Sequence, residues 1–301
     1  MSQFTVQVPA TTANLGPGFD CLGAALTLYN YFTFDRTDTT ETQITVKGKE
    51  AEKVSTGKDN LLYQSFLKLY EHLGQTPPNV AIKIDLGVAL ARGLGSSATA
   101  IVGGLVGANQ LAGNPLSKEE VMRLAIAIEG HPDNVVPALI GNCQLSIADG
   151  EAWQICPIPW NSEIIPVLAI PNFELSTEEA RSVLPREISR GDAIFNMAHL
   201  GLLLRGLETA QGDWLKAALD DKIHQPYRQA LIKGYQIVRE AALAAGAYGM
   251  VISGAGPTLL GLAQRGRAER VASAMEKTWQ SQGVETEVHL LSIDTQGARV
   301  S

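Results

Sequence analysis

The sequence predicts mixed helices and strands, α/β or α+β, divided between two domains. Three observations carry this: apolar residues alternating with period two, apolar residues at helical spacing elsewhere, and a proline-dense stretch at mid-chain. A chain of 301 residues can bury two modest cores. Phe4, Val6 and Val8 alternate with polar residues as a strand, which Pro9 should end. Residues 11–23, TTANLGPGFDCLG, are small, polar and glycine-rich and are expected to form a loop. Sheet should resume around Leu26 to Phe34 and Ile44 to Val46. Leu62, Phe66, Leu69, Tyr70 and Leu73 have helical spacing, and Val80, Ile82 and Ile84 alternate as a strand. Ala98, Ile101, Val102, Leu105, Ala108, Leu111 and Ala112 predict a helix that begins close to Ser96 and Ser97.

Ser117 with Glu120 makes a capping box, with Leu116 and Val121 placed as its staple, and that helix should run to about Glu129. Residues 143–148 read as a strand. Pro157, Pro159 and Pro166 then mark the expected boundary between domains 1–156 and 157–301. Beyond it come a strand at 167–170, a helix capped by Ser176 with Glu179 at the capping-box spacing, and helical periodicity at 193–210, 214–219 and 228–245. Strands are expected at 250–253 and 258–263, then an amphipathic helix near 268–280 and an alternating strand from Val284 to Leu290. No internal repeat is visible.

Composition excludes several functions. The formal net charge of -7 provides no electrostatic footprint for a nucleic acid or an anionic membrane, so any phosphate must be bound locally. Cys21, Cys143 and Cys156 form no C-x-x-C, which argues against a disulfide scaffold or zinc module and favours a reducing compartment. Residues 1–13 do not read as a secretory signal, and a cytoplasmic location is expected. The uncharged stretches 93–117 and 241–264 are interrupted by polar residues or glycines, so no membrane span is expected. Gly103 and Gly107 are expected to mark close helix packing.

The stretch Gly93-Leu94-Gly95-Ser96-Ser97-Ala98 lacks the lysine of a Walker loop and the third glycine of a dinucleotide fingerprint. Glycines that let backbone approach, two hydroxyls and a following helix are nevertheless suited to an anion. On spacing alone, an ordinary strand-to-helix turn stands equally with a phosphate cradle.

Residues 90–98, LARGLGSSA, resemble the phosphate loop of the GHMP kinases, although Ala89 stands where a proline is usual and Ala91 where a glycine is common. The amino-terminal PATTANLGPGFD (9–12 onward to Asp20) and the carboxy-terminal SGAGPT (253–258) resemble that family's other two motifs, in the right order over nearly the whole chain. EGHPDNV at 129–135 is similar to the homoserine kinase branch, where mevalonate-type members carry a different pattern. The resemblance implies an α+β fold, with an S5-like amino-terminal and a ferredoxin-like carboxy-terminal domain. It also implies Mg-ATP-dependent phosphorylation of the hydroxyl of L-homoserine in threonine biosynthesis, and a homodimer.

By the same resemblance, Asn14 and Asp20 would bind the ammonium end of the substrate. Arg181, soon after Thr177, and Arg228 would clamp its carboxylate, because a guanidinium matches a carboxylate with two parallel hydrogen bonds. His131 and Asn134 would orient the acceptor near the transferred phosphoryl group, and Asp133 would hold one of them rather than act as a general base. Leu90, Ala91, Arg92, Gly93, Leu94, Gly95, Ser96, Ser97 and Ala98 would contact ATP, chiefly through backbone N–H groups. Asn60 would contact adenine, though an Asn before a helix is equally a cap. Ser97 and Glu129 would bind Mg2+, and Gly254 would close the cleft. A sugar or isoprenoid alcohol as acceptor, or a noncatalytic member that kept the fold, are the competing expectations.

Overall fold

The computed structural model describes residues 3–38, 41–150 and 152–301. β1 (Gln3–Asn14) and β2 (Gly18–Arg36) form a long antiparallel hairpin. β3 (Gln43–Gly48) lies parallel to β4 (Val80–Leu86), which pairs with the far half of β2. β5 (Cys143–Asp149) joins β2 at Leu22 to Ala24 and carries β6 (Ala152–Ile158) on its outer side. Four helices pack with this sheet: α1 (Leu61–Leu73), α2 (Ser96–Leu111), α3 (Lys118–Glu129) and α4 (Pro132–Ile140). Phe32, Phe34 and Phe66 lie at the centre of that core, and Gly103 and Gly107 of α2 admit the rings of Phe32 and Phe34, so the small residues do serve close packing.

A second sheet has the order β10-β7-β9-β8, every pair antiparallel, from β7 (Ile164–Pro171), β8 (Ala247–Ile252), β9 (Leu259–Gln264) and β10 (Thr286–Leu290). Between β7 and β8 run α5 (Thr177–Ser182), α6 (Arg190–Thr209), α7 (Gly212–Ala218), α8 (Gln225–Arg228) and α9 (Tyr235–Ala245). The last helix, α10 (Ala268–Ser281), packs with α9 on the second sheet around Trp279 and Met275. A further core joins the two halves: Leu15, Leu22 and Leu94 pack in one cluster with Leu168, Leu203, Leu219 and Val251. The chain then returns to the first sheet, where β11 (Arg299–Val300) pairs Val300 with Val6. Asp294 anchors this return, accepting from Tyr29 Oη at 2.9 Å, Gly297 N at 2.7 Å and Arg299 at 3.1 Å.

Two expectations need correction. Residues 11–23 are not a loop: β1 continues past Pro9 to Asn14 and β2 starts at Gly18. Pro9 is tolerated because β1 has no second neighbour there, β11 reaching only Val6 and Gln7, and a register shift follows at Ala10. The proline-dense stretch carries β6 and the start of β7, with Pro157 on an edge strand and residue 156 inside β6. The helix expected over 228–245 is broken, since α8 gives way to a short turn and α9 starts only after Gly234, at φ +76°. A short helix, α4, also starts at Pro132, where proline's fixed φ suits the first helical position.

Candidate active site

The site is assembled from backbone that side chains alone would not hold in place. Asn14, Leu15 and Asp20 all take positive φ at the tip of the β1–β2 hairpin. Asn14 stabilises that turn at both ends of its amide: Oδ1 accepts from Asp20 N at 2.9 Å, and Nδ2 donates to the Gly254 carbonyl at 2.8 Å. The hairpin tip is thereby tied to the 253–258 loop. That loop is tied to the glycine loop in turn, because Ser253 Oγ lies 2.7 Å from the Gly93 carbonyl and 2.9 Å from Thr12 Oγ1.

The glycine loop enters α2 at Gly95, whose φ is +67° and where a β-carbon would fall 2.0 Å from Thr11 Oγ1. No side chain caps α2 and its first turn holds no acidic residue, so its leading N–H groups are left to a ligand. Ala91, Gly93, Gly95, Ser96 and Ser97 line a cavity of about 320 Å³. Asn14, Asp20, Glu129, His131, Asp133, Asn134, Thr177, Arg181, Arg228 and Gly254 line the same cavity. Ser96 and Ser97 also border a second cavity of about 250 Å³ with apolar walls, among them Phe32, Leu62, Ile84 and Leu90, and Asn60 lies on its rim.

Not every residue expected at the nucleotide is placed there. Arg92, Leu94 and Ala98 line neither cavity. Arg92 is buried behind the loop, donating to the carbonyls of Pro171, Leu90 and Asn172 and pairing with Glu50, so its guanidinium fastens the loop to the end of β7. Leu94 and Ala98 are buried in the cores. Asn60 caps α1, its Oδ1 accepting from Tyr63 N at 3.1 Å while Nδ2 donates to Ser55 O at 2.6 Å.

In the lining of the main cavity Ser97 Oγ donates to Glu129 Oε2 at 2.8 Å. Burial raises the Glu129 carboxyl above its usual range, against the pull of Ser97 and His131. A carboxylate short of solvent beside a hydroxyl is an oxygen donor pair of the kind a hard divalent cation takes, so these residues fit Mg2+. Among the described residues there is no group of three or more His, Cys, Asp or Glu that could hold a metal. The start of α4 brings three further groups together: Asp133 Oδ1 lies 2.6 Å from His131 Nδ1 and accepts from Asn134 Nδ2 at 3.4 Å. The hydrogen bond to Asp133 raises the His131 pKa, more strongly than burial lowers it. Thr11 donates to Asn134 Oδ1 at 2.8 Å, which fixes which end of the amide faces back.

At the opposite end, Arg181 and Asp20 meet in a two-pronged pair of 3.0 and 2.8 Å. Groups expected at the two ends of one substrate are therefore paired with each other. Arg228 is buried, donating to Ala180 O at 3.1 Å and Gly254 O at 3.1 Å, and burial, with Arg181 second, pulls its pKa down to about 10. Phe19 is a flat wall between them, its ring centroid 5.8 Å from the Arg181 guanidinium carbon and 5.2 Å from that of Arg228. Sequence reasoning gave Thr11, Thr12, Ser253 and Phe19 no role although they lie within the quoted motifs. Glu50, whose Oε2 accepts from Leu90 N at 2.8 Å, stands forty residues from its partner with no local signal.

Comparison with known proteins gives the family. Residues 60–142 match the GHMP kinases N terminal domain and residues 201–281 match the GHMP kinases C terminal family. A homoserine kinase of Microchaete diplosiphon is 66% identical over 298 residues, covering 99% of this chain and 97% of the relative. The chain belongs to the homoserine kinases, within the GHMP kinase family. A homoserine kinase of Trichodesmium erythraeum is also 66% identical, over 299 residues, covering 99% of this chain and 98% of the relative. The crystal structure of homoserine kinase from Cytophaga hutchinsonii superposes with a TM-score of 0.91 at 29% identity, covering 100% of this chain and 98% of that one. The α+β GHMP kinase fold expected from the motifs is thus the fold of this homoserine kinase family member.

Proposed function

We infer that this chain transfers the γ-phosphoryl group of ATP to the side-chain hydroxyl of L-homoserine, giving O-phospho-L-homoserine for threonine biosynthesis. The observation that carries the assignment is a single cavity with an uncapped helix N-terminus and glycine loop on one side and Asp20, Arg181 and Arg228 on the other. One side suits a triphosphate and the other an amino acid's ammonium and carboxylate, with His131 and Asn134 lining the space as well.

Backbone N–H groups from Gly93 to Ser97 would hold the phosphates, and the apolar second cavity beside Ser96 and Ser97 suits the nucleoside's flat base. Ser97 and Glu129 would hold Mg2+, which when bound neutralises charge on the phosphate oxygens. Asp20 would take the ammonium group of the acceptor, and Arg181 and Arg228 its carboxylate, once the Asp20–Arg181 pair opens to admit them. Asn14, with both ends of its amide engaged, holds Asp20 in place. Thr177, the first residue of α5, and Gly254 complete the wall. His131 and Asn134 orient the hydroxyl, and Asp133 holds both. The new bond joins the hydroxyl oxygen to the γ-phosphorus as the bond to the β–γ bridging oxygen breaks, the hydroxyl proton passes to water directly or by way of a phosphate oxygen, and ADP leaves. Positioning and charge stabilisation carry the rate without an assigned general base.

A division into domains 1–156 and 157–301, a cytoplasmic location and a homodimer belong to the same proposal. The test is coupled ADP release with Mg-ATP and L-homoserine, beside mevalonate, galactose and a no-acceptor control, with the product identified by mass. ADP release should depend on homoserine, and Arg181→Ala should lower kcat/KM for homoserine by at least about tenfold, the scale of a lost charge-assisted hydrogen bond. Turnover driven by an alcohol without an amino acid head group would overturn the assignment.

A further inference from the structure

His224 lies outside the quoted motifs, is fully buried, and is in contact with both halves of the acceptor end of the site. Arg228 Nη1 lies 3.3 Å from His224 Nδ1, and His224 Nε2 lies 2.9 Å from the Gly16 carbonyl in the hairpin turn that bears Asn14 and Asp20. An arginine can only donate and a carbonyl can only accept. Nδ1 must therefore carry a lone pair and Nε2 the proton, which defines a single neutral tautomer.

The backbone around His224 is fixed with equal care. Asp221 accepts from the N–H groups of Ile223 at 2.9 Å, His224 at 3.0 Å and Gln225 at 2.6 Å, and from Asn196 Nδ2 at 2.8 Å. Phe19 stacks on the imidazole with centroids 5.1 Å apart. The charged groups facing His224 are Asp221, with Oδ2 at 3.6 Å from Nε2, and Arg228, with Asp20 acting from the hairpin. Burial lowers the His224 pKa, in keeping with a neutral ring. Protonating it would set an Nδ1–H donor against an arginine donor.

Resting on the phosphotransfer inferred above, we propose that neutral His224 is a positioning residue for acceptor binding: it aims Arg228 through Nδ1 and fixes the Gly16 turn through Nε2–H. The acceptor is thereby selected by an arginine whose orientation is set by a residue that does not itself line the cavity.

The two nitrogens can be tested separately, because an Asn side chain can restore the acceptor near Nδ1 and a Gln side chain the donor near Nε2. His224→Gln should raise the KM for homoserine about tenfold with the KM for ATP unchanged, and His224→Asn should recover most of that loss. In an Arg228→Ala background, His224→Gln should add no further increase. An unchanged homoserine KM in His224→Gln, or a parallel rise in both KM values with no difference between Gln and Asn, overturns the proposal. If Arg228→Ala alone leaves the homoserine KM unchanged, it is the assignment of the acceptor site that fails. Should the variants not fold, 15N spectra of the intact chain report the tautomer directly: a protonated Nε2 and bare Nδ1 at His224 support the proposal, and the reverse overturns it.

Discussion

Ala91 holds a backbone φ of 50°, in the left-handed region where a β-carbon costs roughly 1 kcal/mol. It keeps that conformation because its carbonyl accepts from Leu175 N at 3.2 Å, linking the glycine loop to the approach to α5. Ala91→Gly should therefore raise unfolding free energy by at most about 1 kcal/mol, the relief of strain being offset in part by greater freedom of the unfolded chain. A shift in the urea midpoint at constant slope measures this, and a loss of stability would show that the methyl group packs usefully. Ala89, also unusual against the family pattern, packs beside the core that joins the two halves. Thr11 shows another side of the residue scale: one hydroxyl selects how Asn134 is turned.

The helices differ in how they begin. Ser117 and Glu120 form the full capping box at α3, while Ser176 and Ser189 accept from Glu179 N and Asp192 N at α5 and α6. Helix α2 starts without a side-chain cap, as α4, α7, α8, α9 and α10 also do, but its N-terminus follows the glycine loop and borders the main cavity, where a phosphate would supply one. Helix α4 is positioned by the strand beneath it: at Gly23 of β2 a β-carbon would lie 1.7 Å from the Asp133 carbonyl. Gly23→Ala should push the first turn of α4 outward and lower kcat at least about tenfold while ATP still binds, since small misplacement of orienting groups is costly. Parallel assays of turnover and ATP binding distinguish this from global unfolding. Much of this scale was legible in the sequence, because α1, α2, α3 and α10 follow apolar periodicity and α1 and α3 also start at their capping residues. Residues 11–23 were not, since buried Thr11, Thr12 and Asn14 look like loop residues until their partners at Asn134, Ser253 and Gly254 are known. Helix α4 was hidden by Pro132 and Pro137, and Arg228 was singled out through the family resemblance while His224, 3.3 Å from it, was not.

Across the whole molecule, half-buried His131 and fully buried His224 make stability depend on pH in opposite directions. The pKa of His131 is raised from 6.5, chiefly by its hydrogen bond to Asp133, so its stabilising share is complete below 6.5 and is lost as pH rises through the folded value. His224, lowered by burial, contributes above 6.5 and loses its share as pH falls through its folded value. Urea unfolding of Asp133→Asn should show lower stability than the unaltered chain below pH 6.5 and a smaller decline as pH rises above it; an identical decline would remove His131 as its source. The same molecule-wide view applies to the pairing of Val6 with Val300. In synthesis β1 precedes the whole second sheet, and β11, which pairs with Val6 and Gln7 on its outer edge, follows that sheet. Until then the nascent chain carries an open edge with unsatisfied backbone groups, a template for pairing with another chain. The incomplete chain is thus more open to edge pairing at Val6 and Gln7 than the finished one.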